Sequence, residues 1–256
     1  MKRILAAANE SVLAQFARSN TLVAFDYDGT LSPIVVERGA ATMRAATRRG
    51  LIAVCERYPS AVISGRGRAD VSARLEGVPV GHIVGNHGME PSADMARFAA
   101  LVAALALQLS QMLAGCRGVE IEDKRYSLAI HYRKSREKRA ARAVIARAGA
   151  AVQGSCRLVA GKQVVNVIPH GAPHKGTALE ALRDQVGADT AIFVGDDVTD
   201  ENVFELDQPG RLLSIRVGEK RSSAAPYYLR DQGEIDQLLR RLVELRTPEP
   251  RRAGRQ

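Results

Sequence analysis

The stretch Leu22-Val23-Ala24-Phe25-Asp26-Tyr27-Asp28-Gly29-Thr30-Leu31 decides the fold of this chain. Four apolar residues run directly into two carboxylates and a Gly-Thr turn, which predicts a buried parallel strand with acidic side chains at its carboxyl end. Because side chains alternate along a strand, Asp26 and Asp28 start on the same face. Such a pair resists joint ionisation, so it indicates either Mg²⁺ between the carboxylates or one raised pKa. A solvated turn is the alternative, but open α/β sheets bind ligands at this position.

Two later apolar runs also end in polar loops. Residues 61–63 lead into Ser64-Gly65-Arg66, and residues 82–84 lead into Gly85-Asn86-His87-Gly88-Met89-Glu90. Ser64 either bonds a phosphate oxygen or caps the helix predicted over 67–75. His87, taken alone, is more typical of a structural residue than of a ligand.

A second acidic cluster and a lysine follow late in the chain. The strand predicted over 190–194 ends in Gly195-Asp196-Asp197-Val198-Thr199-Asp200-Glu201. A helix capped by Thr199, with Asp200 and Glu201 in its first turn, explains part of this cluster but leaves Asp196-Asp197 unexplained. Repulsion among these carboxylates must be offset by a metal ion, and their hard oxygen atoms suit Mg²⁺. Lys175 precedes the helix predicted over 177–186, where an anion is favoured.

The middle of the chain lacks the strand–helix alternation of its flanks. It predicts helices over 93–113 and 135–148, with strands over 119–121, 126–131, 157–159 and 164–168. We therefore predict an α/β fold: a Rossmann-like parallel-sheet core with an inserted smaller α/β domain that carries an antiparallel sheet. The core comprises residues 1–92 and 170–246, and the insertion spans 93–169. Helices are predicted over 1–19, 42–58 and 231–245, a strand over 212–217, and a disordered basic tail over 247–256.

Composition limits the class of protein. A chain of 256 residues with 46% hydrophobic content is not mainly disordered. Its formal charge of +9 suits a nucleic-acid partner or an anionic phosphate substrate equally well. Aromatic residues make up only 4% and tryptophan is absent, so platforms for stacking bases are scarce. A solvated helix face accounts better than a nucleic-acid patch for the basic run Arg133, Lys134, Arg136, Lys138, Arg139 and Arg142.

Cysteine usage and hydropathy predict the compartment. Cys55, Cys116 and Cys156 are odd in number and lack C-x-x-C spacing, which favours free thiols in a reducing compartment. The N-terminal apolar run is broken by Asn9 and Glu10, unlike a secretory signal. The longest apolar run, 98–107, is far shorter than the roughly 20 residues that span a bilayer. We expect a cytoplasmic monomer that acts on a small molecule, without a membrane or nucleic-acid partner.

The four strand-end elements, in the order Asp-x-Asp, Ser, Lys and Asp-Asp, fit one chemistry. Asp26 attacks a phosphorus atom, while Mg²⁺ and Lys175 neutralise the phosphate oxygens. Ser64 orients the phosphoryl group. Asp28 protonates the leaving oxygen and later acts as the base that activates water.

These elements resemble those of the haloacid-dehalogenase-like phosphatases. The resemblance implies that Asp26 is the nucleophile and Asp28 the acid/base. It implies that Asp196 is the main metal ligand of the second acidic motif, with Asp197 and Asp200 as outer or alternative ligands. Asp26 and the carbonyl of Asp28 complete the expected Mg²⁺ site.

From 25 to 204 the chain is more closely similar to the trehalose-6-phosphate phosphatases. The shared stretches are Asp26-Tyr27-Asp28-Gly29-Thr30-Leu31-Ser32-Pro33-Ile34, Ser64-Gly65-Arg66, Gly85-Asn86-His87-Gly88-Met89-Glu90, Glu122-Asp123-Lys124, His131-Tyr132-Arg133 and the second acidic motif. The resemblance implies that the insertion is a mobile cap. It implies that sugar hydroxyls are bound by Glu122, Lys124, His131 and Arg133. Further substrate contacts are expected from Gly65, Arg66, Asn86, His87 and Asn166.

The chain departs from the family pattern at two places. His174 stands where the family has Asp before the lysine, and Asn166-Val167-Ile168-Pro169 stands where the family has Glu-x-Arg-Pro. The first departure is expected to be harmless, whereas the second touches the sugar site.

Three alternatives remain open. A phosphatase of the same superfamily acting on another sugar phosphate would keep the core motifs and differ in the cap. A receiver-type signalling domain also uses strand-end aspartates, a hydroxyl and a lysine, but in another order and without a cap. A basic nucleic-acid-binding module would use the positive charge and show salt-dependent binding.

Overall fold

The computed structural model describes residues 1–35, 38–91, 94–161, 163–206 and 208–247. Its strands are β1 Lys2–Arg3, β2 Thr21–Phe25, β3 Ser60–Ile63, β4 His82–Val84, β5 Glu120–Asp123, β6 Leu128–His131, β7 Cys156–Gly161, β8 Val164–Pro169, β9 Thr190–Gly195, β10 Leu212–Val217 and β11 Tyr227–Leu229. Its α-helices are α1 Glu10–Arg18, α2 Ala45–Cys55, α3 Arg68–Arg74, α4 Met95–Met112, α5 Lys138–Val152, α6 Lys175–Gln185, α7 Glu201–Phe204 and α8 Ile235–Arg246.

The main sheet is parallel throughout and has the strand order β1-β11-β10-β9-β2-β3-β4. β2 lies inside it, and its side chains alternate between two apolar layers. Val23 and Phe25 pack with α1, α2, α3 and α8 on one face. Leu22 and Ala24 pack with α6 and α7 on the other face. Burial on both faces explains why this strand is a continuous apolar run, as expected of a parallel sheet.

A second, antiparallel sheet of order β5-β6-β8-β7 lies between β4 and α6 in the chain, and we call it, with α4 and α5, the cap. One face of this sheet carries Leu128, Ile130 and Val167, which pack against Val102 of α4 and Ile145 of α5. The alternate residues of each strand point to the opposite face. The predicted architecture, a parallel core with an inserted antiparallel sheet, is confirmed. The predicted boundary at 92/93 lies outside the described residues.

The N-terminal prediction is wrong in part, because α1 begins only at Glu10. Lys2 and Arg3 instead form β1, which pairs in parallel with β11. Arg3 is held there by an ion pair to Glu234 at 2.6 Å, and Ile4 is 1% exposed. Long-range pairing and burial outweigh helix propensity here. The strand β11 was not predicted, since three residues give too short a pattern.

The other predicted elements are present with shifted ends. The helix predicted from 231 begins at Ile235, because Asp231 first caps a 3₁₀ turn by accepting from the N–H of Glu234 at 3.2 Å. By length and composition α4 could cross a membrane, although core helices of soluble proteins pass the same test. The predicted disordered tail lies outside the described residues from 248 onwards.

Candidate active site

Two neighbouring strands bring the acidic motifs together. β2 and β9 pair in parallel with Phe25 opposite Val194, so the loops after both strands leave the same edge of the sheet. The N–H of Asp26 donates to the carbonyl of Val194 at 2.9 Å. Carboxylate oxygens of Asp26, Asp196 and Asp200 lie within 4.8 Å of one another. The two acidic motifs therefore form one cluster at the carboxyl edge of the core.

Lys175 is a buried cation in this cluster. Its side chain is 1% exposed, and Nζ lies 2.9 Å from Asp26 Oδ1 and 2.7 Å from Asp200 Oδ1. The preceding residue, His174, caps α6 by accepting from the N–H of Gly176 at 3.2 Å, so the departure from Asp keeps a cap at this position. Burial alone would lower the pKa of Lys175, but the carboxylates of Asp200 and Asp26 outweigh it and raise that pKa. Lys175 therefore stays protonated between them.

The positive charge of Lys175 does not balance the negative charge of the three clustered carboxylates. Burial raises the pKa of Asp26 to about 7, with Asp200 and Asp28 adding to the rise and Lys175 opposing it. Burial also raises the pKa of Asp196, and the neighbouring carboxylates raise it further. Asp196 Oδ1 is buried without a hydrogen-bond partner among the residues that the structure describes. Hard oxygen donors, an orphaned oxygen and uncompensated negative charge together fit a divalent cation such as Mg²⁺.

The turn after β9 is held from inside the cluster. Asp200 Oδ2 accepts from the N–H groups of both Asp196 and Asp197 at 2.9 Å. Gly29 lies directly against this turn with φ +83°, and a Cβ there would lie 2.2 Å from Asp196 Oδ2. Glycine is required at this position by both the backbone angle and the close approach.

Asp28 is not one of the three clustered carboxylates, and its side chain pairs with Arg66. Nε and Nη2 of Arg66 donate to the two carboxylate oxygens of Asp28 at 2.6 and 2.7 Å. Nη1 of Arg66 binds Asp70 at 2.7 Å, and the guanidinium lies over the ring of Tyr27. This two-bond pairing fixes the orientation of the Asp28 carboxylate. The side chain of Asp28 remains 36% exposed.

The cap presents a polar sheet face to the core. Glu122 on β5 lies opposite Ala129 on β6, which in turn lies opposite Asn166 on β8, so all three share one face. His131 is two residues from Ala129 and lies on that face too, with Nε2 2.8 Å from Glu122 Oε2. The strand period thus places three of the predicted cap residues side by side.

A cleft of about 1260 Å³ separates the cap from the acidic edge of the core. From the predicted site its walls include Asp26, Asp28, Gly65, His87, Glu122, Lys124, His131, Arg133, Asn166, Lys175, Asp196 and Asp197. Residues that were not selected as site residues also line it, among them Ile34, Val198, Arg216 and Lys220. Ile34 and Val198 lie within the stretches shared with the family, but as exposed apolar side chains they offer no reactive or polar group by which to select them.

Two predicted residues lie beneath the cleft. Ser64 is fully buried, and its hydroxyl accepts from the N–H of Arg66 at 3.1 Å. Its alternative role as a helix cap is wrong, because Gly67 occupies that position before α3. Arg66 is itself 4% exposed, with its guanidinium turned to the carboxylates already described. Their roles in catalysis and substrate binding stay predictions.

Hydrogen bonds join the cap to the core beside the cleft. Asn86 is 1% exposed; its side-chain N–H donates to the carbonyl of Lys124 at 3.2 Å, and its carbonyl accepts from the hydroxyl of Ser127 at 3.0 Å. Nζ of Lys124 donates to the carbonyl of Gly65 at 2.8 Å. Elsewhere Arg133 donates to the carbonyl of Val35 at 3.3 Å. Asn86 therefore joins the cap to the core instead of lining the cleft.

Several known proteins with similar sequences are named as trehalose-phosphate phosphatases. The Trehalose-phosphatase family profile matches residues 24–232. A trehalose-phosphate phosphatase of Mycobacterium avium (strain 104) is 34% identical over 209 residues, which cover 76% of this chain and 53% of that protein. The probable trehalose-phosphate phosphatase 4 of Oryza sativa subsp. japonica is 31% identical over 91% of this chain and 68% of its own length. The chain thus spans about half the length of the mycobacterial relative.

The fold has solved counterparts as well. The C-terminal domain of a C. albicans trehalose-6-phosphate phosphatase superposes with a TM-score of 0.79 at 21% identity. The superposition covers 92% of this chain and 97% of that domain. This likeness shows that the core and the cap occur together in the same arrangement of elements.

Proposed function

This chain belongs to the trehalose-phosphatase family, and from this membership we propose that it hydrolyses trehalose 6-phosphate to trehalose and phosphate. The observation that carries the proposal is the cleft itself. One wall holds a buried carboxylate–lysine cluster suited to phosphoryl transfer, and the other holds a polar cap face suited to sugar hydroxyls. The other family motifs lie on or directly beneath these walls.

Asp26 is the nucleophile of the proposed reaction. Its carboxylate attacks phosphorus, the bond from phosphorus to the sugar oxygen breaks, and an aspartyl-phosphate forms. The N–H of Asp26 is tied to β9 and its Oδ1 to Lys175, so the attacking group is held in place before substrate arrives. Lys175 also supplies positive charge toward the phosphate oxygens.

Asp28 transfers the protons. It gives a proton to the departing sugar oxygen and then takes one from the water that hydrolyses the aspartyl-phosphate. Arg66 holds both carboxylate oxygens, yet a carboxylate offers about four lone-pair sites, so proton transfer on the cleft side stays available. In this proposal Arg66 serves by orienting Asp28 rather than by binding substrate.

Asp26, Asp196 and Asp200 would hold the metal ion, with the carbonyl of Asp28 as a further ligand and Asp197 beside them. A bound Mg²⁺ neutralises charge on the phosphate oxygens during transfer. The chain's part is to present these oxygens close together with little access to solvent. Asp26 is 4% exposed, Asp196 is half-buried and Asp200 is fully buried.

Removal of divalent metal is expected to abolish turnover. Chelation by EDTA leaves the buried carboxylates without their cation, and Mg²⁺ should restore activity fully. Ca²⁺ should fail to restore it, because its larger and looser coordination misplaces the nucleophile. Phosphate release from trehalose 6-phosphate measures this. Full activity after exhaustive chelation would contradict the proposed metal site.

The cap provides substrate selection. Glu122, His131 and Asn166 share the face that borders the cleft, where they can bond the hydroxyls of the sugar. Asn166 stands where the family has a glutamate and offers an amide in place of a charge. The loss of a charge-assisted bond is of order 1 kcal/mol, which weakens recognition without reversing it. Asn166 is also the observation that favours a second candidate substrate, another sugar phosphate.

Truncation of His131 to alanine is expected to lower kcat/KM for trehalose 6-phosphate by about 10- to 100-fold, the value of one or two lost polar bonds. Hydrolysis of a small aryl phosphate should stay near wild type, because that substrate does not reach the cap. Arg142→Ala on the exposed side of α5 is the control and should change neither rate.

The same assay over a panel of sugar phosphates tests the substrate. If another member of the panel is turned over at least about tenfold more efficiently than trehalose 6-phosphate, the substrate assignment is wrong. Equal losses of His131→Ala on aryl phosphate and trehalose 6-phosphate would show that this residue serves folding or the core chemistry.

Location and assembly complete the proposal. The three cysteines carry free thiols in the structure, which supports a reducing compartment such as the cytoplasm. The protein is proposed to act as a monomer on a small-molecule substrate.

A further inference from the structure

The turn that carries Asp196 and Asp197 is clamped by side chains of opposite charge. Asp200 accepts from the N–H groups of both residues, as described above. On the other side, the guanidinium of Arg216 donates through Nη2 to the carbonyl of Asp196 and through Nη1 to the carbonyl of Asp197, the latter at 3.3 Å. All four backbone polar groups of the two residues are therefore bonded to side chains.

Arg216 is built into this position. It occupies the penultimate residue of β10, opposite Gly195 of β9, so its Cα lies beside the start of the turn. Arg216 is 7% exposed, and its side chain is anchored by an ion pair from Nη1 to Glu201 Oε1 at 3.0 Å. Glu201 in turn accepts from the hydroxyl of Ser223 at 3.1 Å and the N–H of Ala224 at 3.0 Å.

The clamp determines where the Asp196 carboxylate lies. With both peptide groups of the turn fixed, a carboxylate oxygen of Asp196 lies within 4.8 Å of one of Asp26, and Asp196 Oδ1 is left buried without a hydrogen-bond partner in the described part of the chain. If the carbonyl bonds were lost, the turn could rotate and carry this oxygen out of the cluster. No motif of the sequence marked Arg216, because its function depends on the backbone of another loop.

We propose that Arg216 is a positioning residue, which holds the turn after β9 so that Asp196 is ready to bind a divalent cation together with Asp26. The inference rests on the proposed function, since Mg²⁺ is the cation in question. The positive charge of Arg216 would by itself have the opposite effect on Mg²⁺ affinity, because a nearby guanidinium repels a cation. If this charge effect dominated, removal of Arg216 would tighten Mg²⁺ binding.

The experiment measures Mg²⁺ binding to the metal-free chain of 256 residues by titration calorimetry and by the Mg²⁺-dependent rise in Tm. Arg216→Met is expected to raise the Kd for Mg²⁺ about tenfold. Arg216→Lys, which retains the charge but not the two-pronged donor, should give an intermediate increase. At saturating Mg²⁺, KM for the phosphate substrate should stay near wild type, because Arg216 acts on the turn and not on the substrate.

Arg183→Met is the matched control. Arg183 is 5% exposed and bonded to Gln208 at 2.6 Å, so its loss disturbs a comparably buried guanidinium on α6 without touching the turn. This control should leave the Kd for Mg²⁺ unchanged even if Tm falls. If Arg216→Met does not fold, Arg216→Lys carries the test.

Each outcome has a definite meaning. A Kd for Mg²⁺ within twofold of wild type, or a tighter one, in a folded Arg216 variant overturns the inference. An increase in substrate KM with unchanged Mg²⁺ binding overturns it as well and assigns Arg216 to the substrate. Wild-type protein that binds no Mg²⁺ would instead overturn the metal site of the proposed function, and this inference with it.

Discussion

Asp26→Asn is expected to lower turnover of trehalose 6-phosphate by at least about 10³-fold while the fold survives. Asparagine keeps the volume of the side chain but cannot attack phosphorus as an anion. It also removes one of the oxygens available to the metal ion. Phosphate release measures the loss, and circular dichroism with thermal unfolding shows whether the fold is kept.

The control for this variant is Asp184→Asn, the same chemical change on a carboxylate of α6 whose side chain is 76% exposed. It should leave both activity and Tm near wild type. Activity of a folded Asp26→Asn protein within about tenfold of wild type would refute the proposed nucleophile.

Lys175→Met is expected to damage both stability and catalysis. Its ammonium is the cation between Asp26 and Asp200, whose side chains are 6% and 0% exposed. Removal of one partner from a buried ion pair typically costs about 3–5 kcal/mol in the free energy of unfolding, because the remaining charge has no compensation. Turnover should fall about 10²- to 10³-fold through the lost electrostatic stabilisation. Denaturant unfolding without metal and phosphate release with Mg²⁺ measure the two effects.

Lys138→Met on the exposed start of α5 serves as the control and should change neither quantity appreciably. If Lys175→Met fails to fold, Lys175→Arg retains the charge and tests catalysis alone. A Lys175→Met protein with wild-type stability and wild-type turnover would show that the buried cation is needed for neither.

Much of the fold was predictable because its signals are local. The apolar run before Asp26 is buried on both faces, so its hydrophobicity alone indicates an inner parallel strand. The loss of strand–helix alternation between 93 and 169 likewise indicated the inserted antiparallel sheet. By contrast, β1 and β11 were not predicted from the sequence. Two or three residues carry too short a pattern, and they form a strand only because a neighbouring strand lies beside them.

The residue types of the active site were also readable in the sequence. The acidic residues that follow β2 and β9 converge because the two strands are parallel neighbours, and the carboxyl ends of parallel strands lie at one edge of the sheet. The cap residues Glu122, His131 and Asn166 were expected from the family resemblance, and the alternation of side chains along β5, β6 and β8 then carries them to one face in the structure.

The sequence by itself therefore determined the class of fold and the acidic edge, which follow from short-range periodicity and chain order, whereas the polar residues of the cap were expected only from the family resemblance. Only the tertiary structure decided how individual side chains are paired. Arg66 turns to Asp28, Asn86 joins cap to core, and Arg216 binds the turn after β9. The physical reason is that a long polar side chain bonds whichever donor or acceptor the fold brings within about 3 Å, and its own neighbours in the chain do not specify that partner.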